Sequence, residues 1–145
     1  MLSEARKEAI FRHIEPIPVV RNLRFQIESM EEGRCVTIVP KDNRFDGAYG
    51  AYHGGLLTTA ADSIACLAIW TLLGPEAHLT TADLHIRFLA ACFTDAVVDA
   101  RVIKIGRSLC PVEVNIRDTD GNHVAVAQVT YFRLDAAVRT TPSSD

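Results

Sequence analysis

The residues best suited to chemistry cluster at one place in the chain, where His53-Gly54-Gly55 is followed nine positions after the histidine by Asp62. Between His53 and Glu76, Asp62 is the only side chain with a formal charge. Aspartate is a poor residue for a helix interior, because its short side chain competes for backbone hydrogen bonds. Burying its carboxylate without a partner is also costly. A run that accepts both penalties is the place to look for a carboxylate acting as general base or nucleophile. The plain alternative is a structural carboxylate held by Thr58 or Thr59. The glycines add a second capability. At a helix start the first backbone N–H groups lack intrahelical partners, and the positive end of the helix dipole lies behind them. Glycine also lets a ligand approach without meeting a β-carbon. A carbonyl placed there would be polarised as its oxygen gains charge, and one such donor is worth about 3 kcal/mol to a transition state.

The elements that must position these groups can be read outward from them. The apolar run predicts a helix from Gly54 to the stop signal Gly74-Pro75. On it, Leu57, Ala60, Ala61, Ile64, Leu67 and Ala68 form a face that packs into a sheet, while Gly55, Thr58, Thr59 and Asp62 share the other. Gly55 and Asp62 are then about 10 Å apart along the axis, from a rise of ~1.5 Å per residue. That is too far for both to touch one carbonyl, whereas an antiparallel helix from a second copy would bring them together.

Upstream, Ser3 opens a helix over residues 3–15, stopped by Pro16 and Pro18. Leu23, Phe25 and Ile27 alternate with Arg24 and Gln26 as in a half-buried strand. Glu31-Glu32-Gly33 turns into a strand over Cys35–Val39, ended by Pro40, and a long loop covers Lys41 to Tyr52. Downstream, Thr80 to Ala90 alternates, with Ala82, Leu84, Ile86 and Phe88 on one face and Thr81, Asp83, His85 and Arg87 on the other. Ala96–Ile105 and Leu109–Arg117 flank Gly106-Arg107-Ser108, and the Asp120-Gly121 turn leads into Val124–Leu134. The tail over 136–145 is expected to fray. One long apolar helix wrapped by a curved antiparallel sheet is an α+β arrangement, here a single domain over 1–145. Its sheet edges and apolar face call for a second copy.

The 145 residues suit one core, and 48% hydrophobic with 23% charged residues is an ordinary folded composition. A net charge of -3 argues against sequence-independent nucleic-acid binding. Cys35, Cys66, Cys92 and Cys110 show no CxxC spacing, so neither a zinc site nor a disulfide scaffold is expected, and a reducing, cytoplasmic setting is. The charged N-terminus lacks a signal-peptide core, and Asp62, Ser63 and the threonines make the apolar run a buried helix rather than a membrane span.

Gly50-x-x-His53-Gly54-Gly55, the helical Asp62, Thr81-x-Asp83 in the following strand and Gly106-Arg107 at the long hairpin together resemble the hotdog-fold acyl-CoA thioesterases, in their phenylacetate-pathway (PaaI-like) branch. The resemblance covers roughly Leu23 to Leu134. It implies hydrolysis of acyl-CoA at a site shared between subunits of a homodimer, with a homotetramer built from two dimers as the larger assembly. It also implies roles: Asp62 as general base or nucleophile, the Gly55 amide as the group polarising the thioester, Thr81 as a hydroxyl orienting water, and His53 as the residue shaping the loop. Gly54, Tyr52, Gly106 and Arg107 become candidates for substrate contact, Arg107 with Lys104 and Arg101 toward CoA phosphates. No metal or other cofactor is implied, CoA being part of the substrate.

Two departures stand out. The position six before the histidine, often Asn in relatives, is Gly47; either Asn43 or Asp46 serves instead, or the contact is missing. The strand ending Phe88-Leu89-Ala90-Ala91 lacks the Arg-Pro often found there. The absent Asn keeps a non-catalytic acyl-CoA-binding module open as an alternative, and an acyl-thioester dehydratase or hydratase is a more distant one. Trp70 reads as core. Residues 118–122 read as a turn rather than a calcium loop, lacking its closing Glu. His85 and Arg87 are candidates for a second subunit interface.

Overall fold

The 20-residue helix α3, Gly54–Leu73, is the axis of the molecule, and the computed structural model describes residues 1–134 around it. By length and composition this helix could cross a membrane, yet half of its residues are buried inside the fold. Its buried face includes Leu57, Ala60, Ala61, Ile64, Leu67 and Ala68, as the periodicity predicts. It packs mainly against β4 (Ala96–Val102) and β2 (Arg34–Val39). The small residues Ala60, Ala61, Ala65 and Ala68, all without exposed surface, let the helix lie close to the sheet.

That sheet is antiparallel and six-stranded, in the order β1-β2-β4-β5-β6-β3. The remaining strands are β1 (Gln26–Glu31), β3 (Leu79–Phe88), β5 (Leu109–Arg117) and β6 (His123–Arg133). Strands β4, β5 and β6 alternate buried with more exposed residues, so Val98, Val112, Val114, Ile116, Val124 and Val129 form the sheet's share of the core. β1 and β3 are the edges, and the ten-residue β3 has its outer side unpaired within the chain.

Helix α1 (Glu4–Ile14) starts where Ser3 accepts a hydrogen bond from the Arg6 N–H, and it buries Ile10 and Ile14. Arg6 then donates to the carbonyls of Thr71 (3.4 Å) and Leu72 (3.0 Å), satisfying the C-terminal end of α3 with a cation.

Three expectations change. Pro18 opens a short helix, α2 (Pro18–Asn22), instead of only ending one, since proline suits a first helical position. The strand read from Leu23 starts at Gln26, because α2 and a left-handed Arg24 (φ 57°) turn the chain first. In β3 the alternation that put Thr81 with Asp83, His85 and Arg87 is broken by a bulge between Thr81 and Asp83. Thr81 pairs with Tyr131 and Leu84 with Val129, so Thr81 joins the helix-facing side. The tail expected to fray, 136–145, lies outside the described residues.

Candidate active site

Asp62 lies a little over two turns into α3 and is half-buried. Two hydroxyls hold it. Thr81 Oγ1 donates to Asp62 Oδ1 at 2.8 Å. The Tyr131 hydroxyl lies 2.6 Å from the Asp62 carbonyl oxygen and 3.0 Å from Oδ1. Both contacts fall on the same carboxylate oxygen, and Oδ2 has no hydrogen-bond partner among the described residues. Thr58 and Thr59, the structural partners the sequence offered, turn back instead to the carbonyls of Gly54 and Gly55 at 2.8 and 3.0 Å.

Each partner arrives for a local reason. The bulge in β3 swings Thr81 to the helix side. Tyr131 is an inward position of β6 and is only 6% exposed. Its phenol is pushed well above the ordinary range, first by burial and then by Cys66 and Asp62, with the Thr81 hydrogen bond opposing. It therefore stays protonated and able to donate. The Cys66 thiol, one turn beyond Asp62, is pushed up to about 12 by burial and by the Asp62 charge. It is a neutral neighbour and not a competing nucleophile at ordinary pH.

The other end of the site is the helix start. His53 is the N-cap, and its Nδ1 accepts from the Gly55 N–H at 2.9 Å. That bond leaves the proton of a neutral ring on Nε2. The His53 carbonyl takes the N–H groups of Leu56 and Leu57. The amide the resemblance assigned to polarising a carbonyl, that of Gly55, is thus engaged with His53. The Gly54 N–H has no acceptor among the described residues. The ring of Phe88 lies over Gly54, where an added β-carbon would sit 3.3 Å from it.

The loop before His53 is organised by Lys41, which sequence reasoning did not single out. Its ammonium lies 2.6 Å from Asp46 Oδ1 and 3.2 Å from Asn43 Oδ1, and its side chain is only 12% exposed. Both substitutes for the missing Asn therefore point at Lys41. Gly47 sits close to His53, where an added β-carbon would lie 3.5 Å from the His53 α-carbon. Tyr52, a candidate for substrate contact, is a core residue: it is buried, and its hydroxyl faces the carbonyls of Val39 and Pro40, each at 3.3 Å.

Gly106 and Arg107 form the turn between β4 and β5. A β-carbon at Gly106 would collide with the Leu109 carbonyl, and Arg133 donates to the Gly106 carbonyl at 3.2 Å. Arg107 is exposed. Because Cys110 pairs with Tyr131, this hairpin leaves the sheet just beyond the strand position that meets Asp62. One chain therefore joins Asp62, Thr81 and Tyr131, with the Gly106-Arg107 turn beyond them on the sheet, and keeps His53, Gly54, Gly55 and the Lys41 loop apart at the helix start. Tyr131 did leave a signal in the sequence: an inward tyrosine in an alternating strand must find a partner for its hydroxyl.

Comparison with known proteins bears on this arrangement. A family model described as "Thioesterase superfamily" matches residues 49–125, from just before His53 into β6. A candidate esterase of Saccharolobus solfataricus is 27% identical over 91% of this chain and 93% of its own length. Among solved structures, the E. coli PaaI protein from the phenylacetic acid degradation operon aligns over 93% of this chain and 97% of its own, with 20% identity and a TM-score of 0.84. A Streptococcus mutans protein bound to acetyl CoA aligns over 76% of this chain and 88% of its own, with 24% identity and a TM-score of 0.69. The helix-wrapping sheet is the hotdog fold these structures share.

Proposed function

The chain belongs to the thioesterase superfamily, and from that premise we propose that it hydrolyses acyl-CoA thioesters to free acid and CoA, with Asp62 as the reacting carboxylate. The observation that carries the reading is the setting of Asp62: a half-buried carboxylate held by two hydroxyls, with no cation paired to it among the described residues. A carboxylate held in this way, with one oxygen left for a reactant, can take a proton from water, or attack the acyl carbon itself. In the first course the water oxygen adds to the acyl carbon directly; in the second an acyl–Asp62 anhydride forms as the thiolate leaves, and water then hydrolyses it to free acid and the carboxylate. The carbon–sulfur bond breaks, and sulfur leaves with a proton as the CoA thiol.

The helix-start amides are the groups to bind the carbonyl oxygen as it gains charge. Gly54, whose N–H has no acceptor among the described residues, is the donor of first choice, and His53 holds its neighbour Gly55 in the cap. Because Asp62 and these amides lie at opposite ends of one chain's site, the working centre combines Asp62 of one subunit with Gly54 of another. Pairing the open β3 edges of two copies would continue the sheet and run two α3 helices antiparallel. The CoA substrate is supported by the acetyl CoA in the Streptococcus mutans neighbour and by exposed Arg107 in the β4–β5 turn, suited to a phosphate. His85 and Arg87 lie exposed on the outer sheet face, where two dimers would meet in a tetramer. The four cysteines are free thiols, in keeping with a cytoplasmic enzyme.

The test is thiol release from aryl-, phenylacyl- and straight-chain acyl-CoAs by wild type and Asp62→Asn together. Release that collapses in the variant supports the reading and ranks the acyl groups. Binding of these esters with no release from any would move the protein to the non-catalytic class.

A further inference from the structure

We propose that Tyr131 and Thr81 are positioning residues that hold one carboxylate oxygen of Asp62, leaving Oδ2 as the only oxygen that reacts. The inference rests on the hydrolytic reading above and adds to it the identity of the reacting atom and of the residue that selects it.

A free carboxylate rotates, and either oxygen can meet a substrate. Here Thr81 Oγ1 lies at 2.8 Å and Tyr131 Oη at 3.0 Å from the same atom, Oδ1. The two donors come from neighbouring strands, at positions paired across β3 and β6, so their separation is fixed by the sheet. The single phenol proton of Tyr131 is shared between Oδ1 and the Asp62 carbonyl at 2.6 Å, which ties the phenol to the helix backbone as well as to the side chain. Its buried ring leaves it no other place to go. The carboxylate is clamped on one side, and its remaining oxygen has no partner among the described residues.

This divides labour differently from a hydroxyl that orients water. The Thr81 proton is committed to Oδ1, and Thr81 acts on the reaction through Asp62. Oδ2 then takes the proton of the water that adds to the acyl carbon. That proton passes to the sulfur as the carbon–sulfur bond breaks.

The measurement is steady-state kinetics on one good acyl-CoA substrate with Tyr131→Phe, Thr81→Val, the double variant and Thr81→Ser, alongside wild type and Asp62→Asn. Each hydroxyl deletion is expected to lower kcat about tenfold with KM nearly unchanged, the worth of one hydrogen bond to a charged group. Because both hydroxyls hold one atom, the double variant should lose less than the product of the single losses. Thr81→Ser, which keeps the donor, should restore most of the rate.

A purely structural Tyr131 would lower the unfolding midpoint and leave kcat intact at temperatures where the protein is folded. That result overturns the proposal while leaving the hydrolytic reading standing, provided Asp62→Asn is inactive. Full turnover by Asp62→Asn, or no thiol release by wild type, overturns the hydrolytic reading and this proposal with it.

Discussion

Asp46 and Asp62 lie on either side of His53 and are handled in opposite ways. Asp46 meets the Lys41 ammonium at 2.6 Å in a pair whose side chains are 12% and 21% exposed, with Asn43 completing the cluster. Asp62 meets only hydroxyls, and one of its oxygens is left open. A carboxylate paired with a cation has already spent its charge on the fold. One held only by hydroxyl donors has no ion-pair partner to lose when a reactant approaches. On the proposed mechanism, the difference separates a loop that serves shape from a helix face that serves chemistry, although both carry an aspartate in a Gly-rich neighbourhood.

The contrast can be sharpened at the helix start. Gly54→Pro removes the unpaired N–H while keeping a residue suited to the first helical turn. It should lower kcat by about a hundredfold, the scale of losing one oxyanion donor. Gly54→Ala keeps the N–H and adds the same β-carbon near Phe88, so the ratio of the two variants isolates the amide from the crowding. Equal kcat for the two would remove Gly54 from the mechanism.

On the structural side, Lys41→Met leaves the Asp46 carboxylate without its cation. Stability in urea unfolding should fall by about 2 kcal/mol, less than for a fully buried pair because water still reaches both groups. Activity of the remaining folded protein should stay within a few-fold of wild type. A large loss of kcat with no loss of stability would place the Lys41 cluster on the chemical side of the comparison instead. His53→Ala should cost about 1 kcal/mol as a lost N-cap, read from the same unfolding curves. Arg107→Ala should raise KM for acyl-CoA a few-fold with kcat unchanged, as expected for one exposed charge facing a phosphate. An unchanged KM would detach that hairpin from the substrate.

Much of this was legible before any coordinates. The apolar face of α3 and its Gly74 stop were written in periodicity and glycine placement, and the structure has the helix at Gly54–Leu73. His53-Gly54-Gly55 marked the helix start, where His53 caps Gly55. What escaped was set by tertiary pairing. No local pattern announces the β3 bulge, because β6 decides which residue is left unpaired, and so Thr81 was read onto the wrong face. Tyr131 stands 69 residues from Asp62, a separation that only sheet order β5-β6-β3 can close. Lys41 looked like one more loop lysine, since its burial depends on Asp46 folding back over it. Tyr52 looked like a pocket aromatic and proved to be core for the same reason: the loop returns against Val39 and Pro40.

The most direct test sets Asp62→Asn and Asp46→Asn side by side, with thiol release and thermal unfolding measured on the same preparations. The account predicts that Asp62→Asn loses kcat by about a thousandfold, within the range for removing a general base, with its unfolding midpoint close to wild type. Asp46→Asn should show a lowered midpoint and nearly full turnover. Wild-type turnover by Asp62→Asn, or collapse of turnover in Asp46→Asn without loss of stability, would contradict it.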